Sequence, residues 1–386
     1  MNSLTLSAVV EKPTRVLLVD TMSGSNDFGV ELPIALDPLV DLTVFTVRGT
    51  RLLPGDCRNI IAVFPPFGGS SGKLHKLRDA LVATLQLARQ LWRHRQHVVH
   101  VQGFRTIALE LPLYVLMRPF LRRLVYTAHN ALPHEPRRWH GVVYGLWYRL
   151  LDQAHVLSQH TGNQLVARFG FDRARLIYAP HGNYDRFRCD HPPAARDATR
   201  SLLGIEREQV LVLMYGLIRE YKGIDRLILA AASTTNRRLR ILVAGGCVDD
   251  LAQHLKDRAA ALGLRDRLEL LVGFVENQRL SDLVDAADVI AFPYHRISQS
   301  GALLLAMTYG KAIIATDLPS FREYLEDGVS GLLMDTSDPP LFARALDGLV
   351  ADAALRSRLG ETARRHAVET FAWTAVARTI VSAYGT

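Results

Sequence analysis

The chain has 386 residues, 48% of them apolar and 22% charged, which is enough for two domains that each bury a core. Cys57, Cys189 and Cys247 lie far apart without CxxC spacing, which argues against a disulfide framework or a zinc site and fits a reducing compartment. The net charge of +8 resides in the first half. Residues 1–190 carry 23 basic against 14 acidic side chains, and residues 191–386 carry 23 against 24. The first half therefore faces something anionic, and with no RNP, zinc-finger or Lys/Arg-rich DNA-binding signature that partner is not nucleic acid.

In chain order, short apolar runs alternate with longer amphipathic ones, the pattern of repeated β–α units. Strands are expected at 15–20, 42–47, 60–64, 97–102, 124–129, 156–158 and 176–179, with helices between them at 72–95 and 139–153. The first twenty residues lack the basic-then-apolar layout of a secretory leader, and no apolar run reaches the roughly 18–20 residues of a spanning helix. A cytoplasmic location is the expectation. The stretch 106–120 comes nearest to a span, but Glu110, Pro112 and Pro119 interrupt it and Arg105, Arg118, Arg122 and Arg123 flank it. It reads either as a buried helix of an α/β domain or as an interfacial segment on an anionic membrane. A polar, Pro- and Arg-rich passage at 188–200 breaks the rhythm as a linker would. A second series follows, with strands at 210–215, 240–244, 268–272, 289–292, 312–315 and 331–334. The fold class is α/β: two Rossmann-like, doubly wound domains facing each other across a cleft. Ligands of such sheets bind beyond the carboxyl ends of the strands.

Four passages carry candidate chemistry. In TAHNALPHEPRRWH (127–140), His129 and Asn130 fall at a strand's carboxyl end, and the following loop brings His134 and Glu135 among arginines. Glu135 or His134 there suits a general base, and Glu135 equally suits a salt bridge with a neighbouring arginine. The loop 23–29 after the first strand lacks GxGxxG and is not a dinucleotide fingerprint. In VLVLMYGLIREYKG (210–223), a strand ends at Gly216, and Arg219 and Lys222 precede a helix. Glycine permits close backbone approach, an arginine fork grips two phosphate oxygens, and a lysine adds a compact charge. Together they suit a diphosphate, although two surface cations in a βα loop would read the same. In 292–309, the polar Ser298, Gln299, Ser300 and Gly301 open a helix that is apolar nearly all round and hence buried. Its free N–H groups suit an anion or hydroxyl, and Ser300 also suits a helix cap.

These passages, together with Gly245-Gly246, GFVENQRLSDLVDAADVIAFPY (273–294), GKAIIATDLPSFREYLEDGVSGLL (310–333) and FAWTAVARTIVSAY (371–384), resemble glycosyltransferase family 4 over about residues 205–386. The resemblance implies a GT-B glycosyltransferase divided into an acceptor-side domain (1–190), a linker (191–200), a nucleotide-sugar-binding domain (201–366) and a final helix (367–386) bracing the first domain. It implies a nucleoside-diphosphate sugar as donor, with no separate cofactor and no essential metal. Gly216, Arg219, Lys222, Ser298, Gln299, Ser300, Gly301 and Glu323 would contact the donor, and His129 matches the histidine that approaches the donor sugar. The chain departs from the family in one respect. Where the family carries two glutamates eight positions apart, this sequence has Ile297 and Leu305. Family habit and the basic first half together imply a lipid-linked or oligosaccharide acceptor, surface-polysaccharide synthesis and peripheral membrane contact. A GT-B epimerase or phosphorylase, or a non-catalytic scaffold, is the alternative that the missing glutamates leave open.

Overall fold

The structure, a computed structural model, describes residues 14–21, 27–64, 73–133, 137–247 and 250–385. It divides into two compact units. The first comprises residues 1–157, 161–180 and 373–386, and the second residues 158–160 and 181–372.

In chain order the first unit contains β1 (Arg15–Asp20), α1 (Asp27–Leu36), β2 (Asp41–Val47), β3 (Ile60–Phe64), α2 (Lys73–Arg93), β4 (Val98–Gly103), α3 (Ile107–Met117), β5 (Arg123–Ala128), α4 (His140–Leu150), β6 (Gln153–Val156), α5 (Gln159–Phe169) and β7 (Leu176–Tyr178). The strands form one parallel sheet in the order β3-β2-β1-β4-β5-β6-β7. Alternation along β1 shows why both faces are covered. Leu17 and Val19 join one apolar cluster with Leu87, Leu111 and Leu165, while Val16 and Leu18 join another with Phe28, Val376 and Ile380. The expected helix 139–153 ends at Leu150, and the strand expected at 156–158 runs instead over Gln153–Val156. His155 is the reason. Its imidazole, fully buried, bonds Thr127 Oγ1 (3.1 Å) and the Ala179 carbonyl (2.8 Å), so a polar side chain occupies a strand interior.

The second unit continues with α6 (Asp185–Asp190), α7 (Arg196–Leu202), β8 (Val210–Tyr215), α8 (Ile224–Ser233), β9 (Leu239–Gly245), α9 (Leu251–Ala261), β10 (Leu268–Val272), α10 (Asn277–Ala286), β11 (Val289–Phe292), α11 (Gly301–Thr308), β12 (Ala312–Thr316), α12 (Pro319–Arg322), β13 (Leu332–Met334), α13 (Pro339–Ala351) and α14 (Ala353–Thr370). Its parallel sheet has the order β10-β9-β8-β11-β12-β13, so the winding reverses between β8 and β11. Residues 191–200, read as a linker, include the start of α7, whose Arg196 and Arg200 both pair with Asp288 (2.6 and 3.0 Å). The last helix, α15 (Trp373–Tyr384), belongs to the first unit and buries Trp373, Val376, Ala377, Ile380 and Tyr384 as a single stripe. The Tyr384 hydroxyl lies 2.6 Å from His100 Nδ1, and Arg123 donates to the Tyr384 carbonyl. Among the described residues no helix is long and apolar enough to cross a membrane.

Candidate active site

Within the second unit, the loops after β8 and β11 meet where the strand order reverses, the place at which open α/β sheets take ligands. The end of β8 is pressed close to that of β9. Gly216 N donates to the Ala244 carbonyl (3.0 Å), and a Cβ on Gly245 would stand 2.1 Å from the Gly216 oxygen. Only glycine at 245 permits that approach. The chain then turns through Arg219–Lys222 into Gly223, which has φ +67°, and a Cβ there would stand 1.9 Å from the Pro293 carbonyl. His295 N donates to the Tyr221 carbonyl (2.8 Å). The two passages read separately in the sequence are therefore one joined structure.

The two cations have different surroundings. Lys222 is only 7% exposed. Its ammonium reaches the Tyr215 carbonyl (3.4 Å) and sits 5.5 Å from the centre of the Tyr294 ring. No carboxylate pairs with it among the described residues, and burial pushes its pKa down to about 8. The Nζ atom also lies 2.8 Å from where a Cβ on Gly216 would be, so the charge is stored directly against the glycine. Arg219 is half-buried and lines a groove of about 290 Å³ with Glu220, Asp225, His254, Arg258 and His295. The structure thus joins Gly216 to Lys222 and turns Arg219 toward α9.

On the β11 side, Ser300 caps α11, its Oγ accepting from Leu303 N (3.2 Å). The Tyr215 hydroxyl donates to the Ala302 carbonyl (2.5 Å). A Cβ on Gly301 would stand 2.5 Å from the Tyr184 hydroxyl, so the glycine leaves room for the end of that ring. Ser298 is half-buried, and the Gln299 side-chain amide nitrogen is buried with no hydrogen-bond partner among the described residues. A buried donor without an acceptor is costly unless a ligand or water accepts from it. From Leu303 to Thr308 every side chain of α11 is buried. Leu305 lies in the core and Ile297 packs against it, so apolar contacts fill the positions where the family has glutamates. Glu323 is engaged elsewhere, accepting from the backbone N–H groups of Gln159 (2.9 Å) and His160 (3.2 Å).

In the first unit, His129 follows β5, half-buried, with its ring edge-on to Phe28 at 4.7 Å. Glu135, His134 and residues 22–26 of the N-terminal loop lie outside the described residues. Sequence reasoning missed the tyrosines that shape the second unit's site, Tyr184, Tyr215 and Tyr294. Their signal was available, since Tyr215 directly precedes Gly216 and Tyr294 falls two residues after β11.

Paired parallel sheets of this order, each with helices on both faces, define the GT-B architecture. The solved structure of HepE from Anabaena in complex with UDP aligns with a TM-score of 0.74 at 18% identity, covering 96% of this chain and 99% of that one. The same protein in complex with UDP-glucose aligns at 0.75 and 17%, covering 95% and 98%. Residues 195–366 match the family described as glycosyl transferases group 1, so the chain carries a glycosyltransferase group 1 region on a GT-B fold. The resemblance read from the sequence is borne out to that extent. D-inositol 3-phosphate glycosyltransferase of Geodermatophilus obscurus is 33% identical over 231 residues, covering 57% of this chain and 49% of the relative. The protein of the same description from Xylanimonas cellulosilytica is 32% identical over 232 residues, covering 59% and 55%. The chain thus spans about half the length of these curated relatives.

Proposed function

We propose that this protein is a hexosyltransferase that moves a sugar from a nucleoside-diphosphate sugar to a hydroxyl of a lipid-linked saccharide, in the synthesis of a surface polysaccharide at the cytoplasmic face of a membrane. The observation that carries the reading is Lys222, a buried ammonium with no carboxylate partner among the described residues, stored against the glycine at the end of β8. An unpaired buried cation costs stability, and a pyrophosphate would supply the missing counter-charge. In transfer, the acceptor oxygen bonds to the anomeric carbon as the bond from that carbon to the β-phosphate oxygen breaks. The diphosphate leaves with added negative charge, which Lys222 and Arg219 stabilise. The acceptor proton passes to Glu135 or to the departing phosphate. His129 shapes the sugar pocket. Gln299, whose side-chain N–H has no partner among the described residues, and Ser298 contribute the polar contacts that Ile297 and Leu305 lack. The cationic pair supplies the charge a divalent ion would otherwise bring, so the reaction needs no metal.

The HepE complexes with UDP and UDP-glucose and the relatives' description as glycosyltransferases support the donor class and make UDP the first nucleotide to test. Lys222→Met keeps the side-chain volume and removes the charge. We expect its melting temperature without nucleotide to equal or exceed that of the unsubstituted protein, and its stabilisation by UDP, GDP, ADP and their sugars to vanish. If Lys222→Met is still stabilised by nucleotide and turns over normally, the reading fails.

A further inference from the structure

Apart from Glu110, helix α3 is apolar all round, yet only one side of it is covered. Ile107, Leu111, Tyr114 and Met117 are buried, while Leu109 (72% exposed), Val115 and Leu116 (70% exposed) face outward with Pro112. The neighbouring helices continue the surface. On α2, the exposed Leu81, Val82, Leu85 and Trp92 recur at helical spacing, and Trp92 meets the exposed Phe120 edge-on at 5.4 Å. On α4, Val142 and Leu146 are exposed one turn apart, with Trp139 just before them. Since α3 packs against both α2 and α4, these residues belong to one three-helix face. A contiguous apolar patch on that scale marks an interaction surface.

The charges around the face select the partner. Arg89, Arg93, Arg122 and Arg149 are exposed on or beside these helices, and none has a carboxylate partner among the described residues. Arg95 lies 4.5 Å from the centre of the Trp92 ring. The stretches 78–95, 105–123 and 137–150 contain only two carboxylates, Asp79 and Glu110. Asp79 is paired with Arg48 (3.0 Å), and Glu110 accepts from the backbone N–H groups of Arg105 (2.8 Å) and Thr106 (3.1 Å) at the start of its own helix. Within these stretches no free carboxylate remains among the described residues to meet a basic partner, and a second copy docked face to face would set arginine against arginine. An apolar centre, an indole–phenyl pair at its edge and an arginine rim match the acyl, interfacial and phosphate layers of an anionic bilayer.

We propose that the exposed face of α2, α3 and α4 seats this protein on an anionic lipid surface, with Leu109, Leu116 and Trp92 entering the headgroup–acyl boundary. The inference deepens the lipid-linked-acceptor part of the proposed function, and its readout is independent of nucleotide binding. The test is co-sedimentation with phosphatidylglycerol/phosphatidylcholine vesicles and with pure phosphatidylcholine vesicles. Binding is expected to be at least about tenfold tighter to the anionic vesicles. It should weaken at least about tenfold in Leu109→Asp/Leu116→Asp, and by a smaller factor in Arg89→Gln/Arg93→Gln. Stabilisation by UDP measured on the same variants separates a lost surface from a lost fold. Failure of the unsubstituted protein to bind either vesicle overturns the proposal. So does equal binding by Leu109→Asp/Leu116→Asp, or a dimer in sedimentation velocity that those substitutions dissolve.

Discussion

Helices α3 and α11 have nearly the same character, each an apolar segment without an amphipathic stripe, yet they end in opposite circumstances. Every side chain from Leu303 to Thr308 is buried, and the capped start of α11 fixes the loop that holds Ser298 and Gln299. Helix α3 buries one side on the first sheet and leaves Leu109, Val115 and Leu116 outside. Composition sets the helix, and what the rest of the chain lays over it sets its role. Covered, it anchors the loop proposed to meet the donor; uncovered, it forms a surface.

The largest effect that sharpens this contrast falls on the α11 side. Arg219→Ala with Lys222→Ala should lower turnover by about a thousandfold or more, since both charges that offset the leaving diphosphate are gone. The fold should persist, because Lys222 is a buried charge with no carboxylate partner among the described residues and Arg219 is half-buried at a groove. Near-normal turnover in that variant would remove the mechanism and with it the functional half of the comparison.

Next in size is a direct test of burial. Leu304→Ala, in the fully buried α11, should cost about 3 kcal/mol of unfolding free energy, and Leu116→Ala, on the open side of α3, less than about 0.5 kcal/mol. Urea unfolding of the two variants side by side settles it. Comparable losses at the two positions would mean that the outer side of α3 is covered in solution.

Much of this was legible in the sequence, for physical reasons. Strands such as 15–20, 210–215 and 289–292 emerge with the expected limits because strands buried on both faces are continuous apolar runs bounded by polar or glycine residues. Gly216 was readable as a point of close approach, and the structure shows what approaches it, the Lys222 ammonium. The exposure of α3 was not readable, because a helix apolar on every side carries no moment to say which side is covered. The separation of Arg219 from Lys222 was equally hidden, since three residues along a tight turn aim side chains in directions that spacing does not encode. Nor could the sequence show that Glu323 would be spent on the backbone of Gln159 and His160, residues more than 160 positions away.

The last effect is a pH dependence of nucleotide binding that the buried Lys222 should produce; Lys311 is also pushed down to about 8 by burial, so unliganded stability alone does not single out Lys222. In the unfolded chain Lys222 titrates near its usual value, about 10.5, and burial pushes the folded value down to about 8. Between those two values the unfolded chain holds a proton that the folded chain has released, so unliganded stability rises as pH increases from 8 toward 10.5. A bound diphosphate reverses the preference by stabilising the charged amine. Nucleotide binding above pH 8 must then take up a proton, and affinity should fall by up to about tenfold per pH unit there while staying flat below it. Calorimetry in buffers of different ionisation enthalpy reads both the proton uptake and the affinity, and Lys222→Met should abolish the slope. A slope that survives the substitution would assign the titration to the nucleotide or to another side chain, and would leave Arg219 as the cation that recognises the phosphates.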